Sequence, residues 1–180
     1  MQNTIPLIIT SALRLLVPLL ILKHPFFGVV ASLFIDFVDL GFLNLFGIKY
    51  FDFPAYQQWD KILDTYYLFL AFSVSLRWTN PLAKRINVAL FLFRLLGVVL
   101  FLLLQKDVLL FLFPNVFEHF FLYYLGYVYL YKREPFTSVE KLVVTVAILA
   151  GIKLFQEYVL HIVKAPVWHW IKIGATMNLD

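Results

Sequence analysis

The chain has no cysteine. Disulfide bracing, thiol nucleophiles and thiolate metal sites are therefore excluded. Charge is also scarce: 14% of the 180 residues are Asp, Glu, Lys or Arg, against about 25% in soluble domains. The seven glycines form no phosphate-cradling loop, so the nucleotide sites built on close backbone approach are absent. There is no Ser-His-Asp arrangement. The basic residues do not gather into a nucleic-acid patch either. The formal charge of +4 is spread over the ends of apolar stretches, which suits anionic lipid head groups and not a nucleic acid.

Hydrophobic residues make up 62% of the chain, including 20 Phe, 10 Tyr and 4 Trp, and the mean hydropathy is +0.85. A membrane-crossing helix needs roughly 20 mostly apolar residues. Six segments qualify, at residues 5–22, 26–46, 56–76, 88–104, 108–131 and 137–163. Pro114 should kink the fifth or restart it at Asn115. The sixth opens on Thr137-Ser138-Val139-Glu140, a capping-box pattern. The tail from Lys164, with Trp168, His169, Trp170 and Lys172, reads as interfacial. No leader is expected, because no basic stretch precedes Ile5 and no small-residue cleavage site follows. With no internal repeat, low-complexity run or linker, residues 1–180 read as one integral membrane domain. The expected fold is an all-α, polytopic bundle of about six transmembrane helices in a cell inner or plasma membrane. Lys23, Arg77, Lys84, Arg85, Lys132 and Arg133 fall in the odd-numbered loops. The positive-inside rule then puts those loops in the cytoplasm and both termini outside.

The chemistry-bearing residues are acids inside apolar segments. Asp36 and Asp39 stand three apart, and Asp60 and Asp64 four apart, so each pair occupies one face of a helix. A carboxylate at the bilayer centre costs at least about 2.5–3.5 kcal/mol, and such groups pair, bind cations or line polar cavities. Two pairs on neighbouring helices would offer eight oxygens, a set suited to a hard cation such as Mg²⁺ or Mn²⁺. The plainer reading is that these acids neutralise Arg14, Arg94 or Lys61 within the bundle. Arg14 could also snorkel to an interface. Arg94 lies deeper and should need a polar partner, with Glu118 or an aspartate as candidates.

Asp36-Phe-Val-Asp39 and Asp60-Lys-Ile-Leu-Asp64, on the second and third of six expected helices, resemble the paired acidic motifs of the CDP-alcohol phosphatidyltransferases. That family's pattern is D-x-x-D-G-x-x-A-R followed by G-x-x-x-D-x-x-x-D. The opening Ile5-Pro6-Leu-Ile-Ile-Thr10-Ser-Ala-Leu-Arg14-Leu-Leu-Val-Pro18 is similar to the family's N-terminal stretch, and the resemblance covers residues 4–72. The chain departs from the pattern at the small and basic positions. Leu40 precedes a displaced Gly41, Leu43 and Asn44 stand at the Ala and Arg positions, and Tyr56 stands four before the third aspartate.

The resemblance implies a phosphotransferase of phospholipid synthesis, moving a phosphatidyl-type group from a CDP-linked lipid donor to an alcohol. It implies Asp36, Asp39, Asp60 and Asp64 as metal ligands, with Asp64 also the catalytic base, and a homodimer as the assembly. Arg14, Lys61 and Arg94 are candidates for the donor phosphates, with Asn44 and Lys49 in place of the missing Arg. A second polar set, Glu118, His119, Glu157 and His161 with Lys153, has spacings that can ligate zinc or iron. Hydrogen-bonded helix packing, or a wall of the same cavity, is its simpler reading. Two other functions fit the same residues: a small ion-coupled transporter using the four aspartates, and a non-catalytic relative that binds lipid.

Overall fold

A computed structural model of the chain describes residues 5–45 and 56–159. Every regular element among them is helical. Helix α1 (Ile5–Leu16) runs into a 3-10 segment (Val17–Leu22). Then come α2 (Pro25–Leu45), α3 (Tyr56–Ser75), α4 (Pro81–Leu104), α5 (Val108–Leu112), α6 (Val116–Tyr131) and α7 (Val139–Glu157). Four stretches are long and apolar enough to cross a membrane: Ile5–Leu22, Pro25–Leu43, Pro81–Leu104 and Val108–Tyr131. Helices α3 and α7 have 20 and 19 residues, but Asp60, Lys61 and Asp64 on one, and Glu140, Lys141, Lys153 and Glu157 on the other, lower their hydropathy. Among the described residues, four of the six expected spans thus have the length and composition to cross a membrane.

Local chemistry explains the boundaries. Pro18 has no N–H to give an α-helical turn, and the first segment tightens to 3-10 geometry where it stands. The fifth expected span is broken at Pro114, and α6 restarts after Asn115, whose side chain accepts from the Glu118 N–H. Two boundaries differ from expectation. Helix α4 begins at Pro81, seven residues before the expected start, because the Asn80 side chain accepts from the N–H groups of Leu82 and Ala83. Proline in the first turn and Asn at the cap form a strong start signal. Hydropathy alone hid it behind Lys84 and Arg85. At α7 the cap is Ser138, accepting from the Lys141 N–H; Thr137 and Glu140 therefore do not close the expected box.

The interior is aromatic. Phe91, Phe117 and Phe121 pack with Tyr67, Leu68, Ala71, Val29 and Ile21 in one cluster, and Phe120, Tyr124, Phe136, Ala83 and Leu142 form a second. The outer surface is apolar as well: Leu103 is 73% exposed, and Leu130 and Phe155 are each 71% exposed. Lipid is as apolar as these side chains, so close packing and internal polar bonds, more than the hydrophobic effect, hold such helices together. The tightest seam joins α2 to the 3-10 segment. A Cβ placed on Gly28 would collide with the backbone of Ile21, so the two chains touch main chain to main chain.

Candidate cation site between α1, α2 and α3

Arg14 sits on the inner face of α1, only 6% exposed, at the meeting point of all four aspartates. One guanidinium nitrogen, Nη1, donates to Asp39 Oδ2 at 2.8 Å and to Asp60 Oδ1 at 2.6 Å. The other, Nη2, lies 2.6 Å from Asp64 Oδ1 and 2.6 Å from Asp36 Oδ1. Lys61 closes the far side, its Nζ 2.8 Å from Asp60 Oδ2 and 2.9 Å from Asp64 Oδ2. The expected helical faces are what bring these groups together: α2 supplies one acidic pair and α3 the other. Two cross-links hold α3 to α1, Trp59 Nε1 donating to Ser11 Oγ at 3.2 Å and the Tyr66 hydroxyl donating to the Leu15 carbonyl at 3.2 Å.

Arg14 is thus neither snorkelling nor free, and the plainer reading of the acids holds in part, since each contacts a basic group. Among the described residues, four carboxylates share two basic groups, Arg14 and Lys61. Asp36, Asp60 and Asp64 each offer one oxygen, and the three oxygens lie within 4.8 Å of one another. Hard carboxylate oxygens in that arrangement fit a divalent cation, although Arg14 draws on the same atoms. Asp36 differs from the others in being 36% exposed at the side chain, while Asp39 is 4% exposed.

The remaining candidates divide. Arg94 is buried on α4 and donates Nη1 to the Phe113 carbonyl at 2.7 Å, where a carboxylate partner was expected; its Nε has no hydrogen-bond partner. The break at Pro114 leaves that carbonyl without a helical donor, which is why it can serve. Asn44 lies on α2, and its side chain is not among those described; Lys49 and His161 lie outside the described residues. Glu118 accepts from Asn115 Nδ2 at 2.9 Å and from the Tyr67 hydroxyl in a short bond. His119 Nδ1 stands 3.9 Å from Glu118 Oε1 without a hydrogen bond. Glu157 pairs with Lys153 at 3.1 Å. Glu118 is thus held by Asn115 and Tyr67 and Glu157 by Lys153, and no transition-metal cluster forms from this set among the described residues.

Two buried groups escaped the sequence reading. Tyr67 stands three residues after Asp64 and seven after Asp60, so the α3 face bearing the acids continues into it. That spacing was a readable signal. Asn87 on α4 is fully buried, and neither its Oδ1 nor its Nδ2 has a partner; nothing in its flanking sequence marks it. No family model, curated protein or solved structure matches the chain.

Proposed function

We propose that this chain is a cation-dependent membrane phosphotransferase, moving a phosphatidyl-type group from a lipid donor that carries a diphosphate to an alcohol acceptor. The observation that carries the reading is the convergence of Asp36, Asp60 and Asp64 from two helices, three oxygens within 4.8 Å, in a cluster where four carboxylates share Arg14 and Lys61 among the described residues. Asp36, Asp60 and Asp64 would hold Mg²⁺ or Mn²⁺, with Asp39 beside them. When bound, the cation would neutralise the donor's diphosphate, polarise the reacting phosphorus and stabilise the monophosphate released as the P–O–P bridge breaks. The acids need a positive charge at all times, and Arg14 supplies one from within the cluster. Lys61, bonded to Asp60 and Asp64, fixes the orientation of those two carboxylates. The resemblance gives the base role to Asp64, yet both its oxygens are engaged by basic groups. Asp36 is more accessible, with one basic contact, and is the better placed acceptor for the alcohol's proton.

The purified chain should transfer the lipid phosphate to an alcohol only with Mg²⁺ or Mn²⁺, using CDP-diacylglycerol as the first donor tried. It should also bind Mn²⁺ directly by titration calorimetry. Asp60→Asn should abolish both. Transfer that survives in folded Asp60→Asn and Asp64→Asn would remove the assignment.

A second reading has its own observation. One arginine contacting four carboxylates is also a counter-ion complex of the kind that exchanges a proton or a metal ion in ion-coupled transport. Ion-driven uptake into proteoliposomes without lipid turnover would favour it over the enzyme.

A further inference from the structure

The bundle has two chemically different ends, and side-chain contacts assign to them the turns before α2, before and after α4, and after α6. At one end Gln57 Nε2 donates to Asp107 Oδ1 at 3.0 Å and Gln58 Nε2 donates to Gln105 Oε1 at 2.9 Å, joining the start of α3 to the turn after α4. At the other end the rings of Phe26 and Phe27 lie 6.0 and 5.6 Å from that of Tyr129, joining the start of α2 to the end of α6. There too Asn80 Nδ2 donates to Glu134 Oε2 at 3.2 Å and to the Phe136 carbonyl at 3.0 Å, joining the turn before α4 to the turn after α6.

Basic charge is concentrated at the second end. Lys23, Arg77, Lys84, Arg85, Lys132, Arg133 and Lys141 all fall in its turns or in the first turns of the helices that leave it. Four other basic residues, Arg14, Lys61, Arg94 and Lys153, lie within helices that form the bundle interior. If Lys49, Lys106, Lys164 and Lys172 are all credited to the first end, the ratio is still seven to four. Aromatic rings support the basic groups: Lys132 Nζ is 4.6 Å from the Tyr129 ring centre, and the Arg133 guanidinium lies 5.9 and 5.8 Å from the rings of Tyr127 and Tyr131. Tyrosines and basic residues together are what anchor a protein at a head-group layer.

The aspartates belong to the opposite half. At 1.5 Å per residue, Asp60 is roughly 6 Å along α3 from Tyr56 and roughly 22 Å from Ser75. Its neighbours Gln57 and Gln58 carry the contacts that define the first end. Arg14 places Asp36, Asp39 and Asp64 at the same depth.

We infer that the basic end faces the cytoplasm and its anionic leaflet, and that the carboxylate cluster is reached from the non-cytoplasmic side. Lys and Arg in short loops are retained on the cytoplasmic side, and each is held near an anionic surface by about 1 kcal/mol. The orientation stands independently of the proposed reaction. The substrate class rests on that reaction: a donor at this depth is a lipid whose diphosphate head group is presented in the outer leaflet. A soluble nucleotide confined by its charge to the cytoplasm does not reach the cluster.

The absence of native cysteine makes the test direct. In intact cells expressing the full chain, a membrane-impermeant maleimide should label Gln58→Cys and Gln105→Cys before lysis. It should label Thr79→Cys and Thr137→Cys only after lysis. The reversed pattern, or labelling of both sets before lysis, overturns the orientation. Two sites at each end guard against one variant that fails to fold. In sealed vesicles of native sidedness, a fluorescent short-chain lipid diphosphate added outside with Mg²⁺ and glycerol as the alcohol acceptor should be consumed without lysis, and consumption only after lysis overturns the substrate side. The expected labelling with no consumption before or after lysis leaves the orientation supported and counts against the phosphotransferase, so the two failures are distinguishable.

Discussion

Arg14 is the residue on which the interior electrostatics depend. Removing one partner from a buried ionic network costs about 3–5 kcal/mol, because the charges left behind remain out of water. Arg14→Leu removes the basic group that touches all four carboxylates, while Lys61 reaches Asp60 and Asp64. The variant should unfold at a lower temperature than the parent in detergent, and Mn²⁺ should restore most of the loss if the acids hold a cation. A melting curve unmoved by Mn²⁺ would show that only the arginine fits between them. Tyr67→Phe tests a different contact. It removes the hydroxyl that donates to buried Glu118 and should cost about 1–3 kcal/mol, the price of an unsatisfied buried acceptor. Glu118→Gln in the same background should recover part of it, as read by denaturant unfolding. The acids themselves were legible because a spacing of three or four leaves only one helical face for each pair. The arginine was legible as a residue but not as their common partner: spacing within α1 says which face Arg14 occupies, and nothing in it says which helices that face meets.

At the scale of elements, punctuation was easier to read than partnership. Pro114 and Asn115 announced the α5–α6 break correctly, and Pro18 accounts for the change of helical type in the first segment. The start of α4 was equally available in Asn80-Pro81 but was displaced by reading hydropathy before caps. Asn80 does two jobs there. Its Oδ1 accepts from Leu82 and Ala83, and its Nδ2 ties the turn to Glu134 and Phe136. Loss of a cap costs about 0.5–2 kcal/mol, so Asn80→Ala should destabilise by at least that, with amide exchange rising in the first turn of α4. Asn80→Ser keeps a cap acceptor and loses the donor without adding charge beside Glu134, and should lie between the two. Gly97 sets a stricter limit. A Cβ at that position would collide with Phe113, whose carbonyl takes the Arg94 hydrogen bond. Gly97→Ala should therefore lower stability by about 1–3 kcal/mol through overpacking. Arg94→Met placed on top of it should add less than it does alone, measurable in a double-mutant unfolding cycle.

For the whole molecule, the composition was sufficient to identify a helical membrane bundle, and the four apolar crossings agree. The depth of the acids needed three dimensions, because the contacts of Arg14, Gln57 and Gln58 had first to place them. The basic residues of the odd-numbered loops already set the two ends apart in sequence. That asymmetry predicts a lipid effect. Melting in bicelles containing anionic lipid should occur above melting in zwitterionic ones, and the gap should shrink at 1 M salt, where the screening length falls to about 3 Å. An equal midpoint in both would deny the basic end any surface role. The seam at Gly28 has a consequence for motion. With α2 and the 3-10 segment locked backbone against backbone, α1 and α2 form one stiff hinge plate carrying Arg14, Asp36 and Asp39. Helix α3 meets α1 through bonds made by side chains, Trp59 to Ser11, Tyr66 to the Leu15 carbonyl, and Arg14 to Asp60 and Asp64. Any widening of the carboxylate cluster to admit a guest therefore falls to α3, which swings as a door leaf with Asp60 and Asp64 on its inner edge.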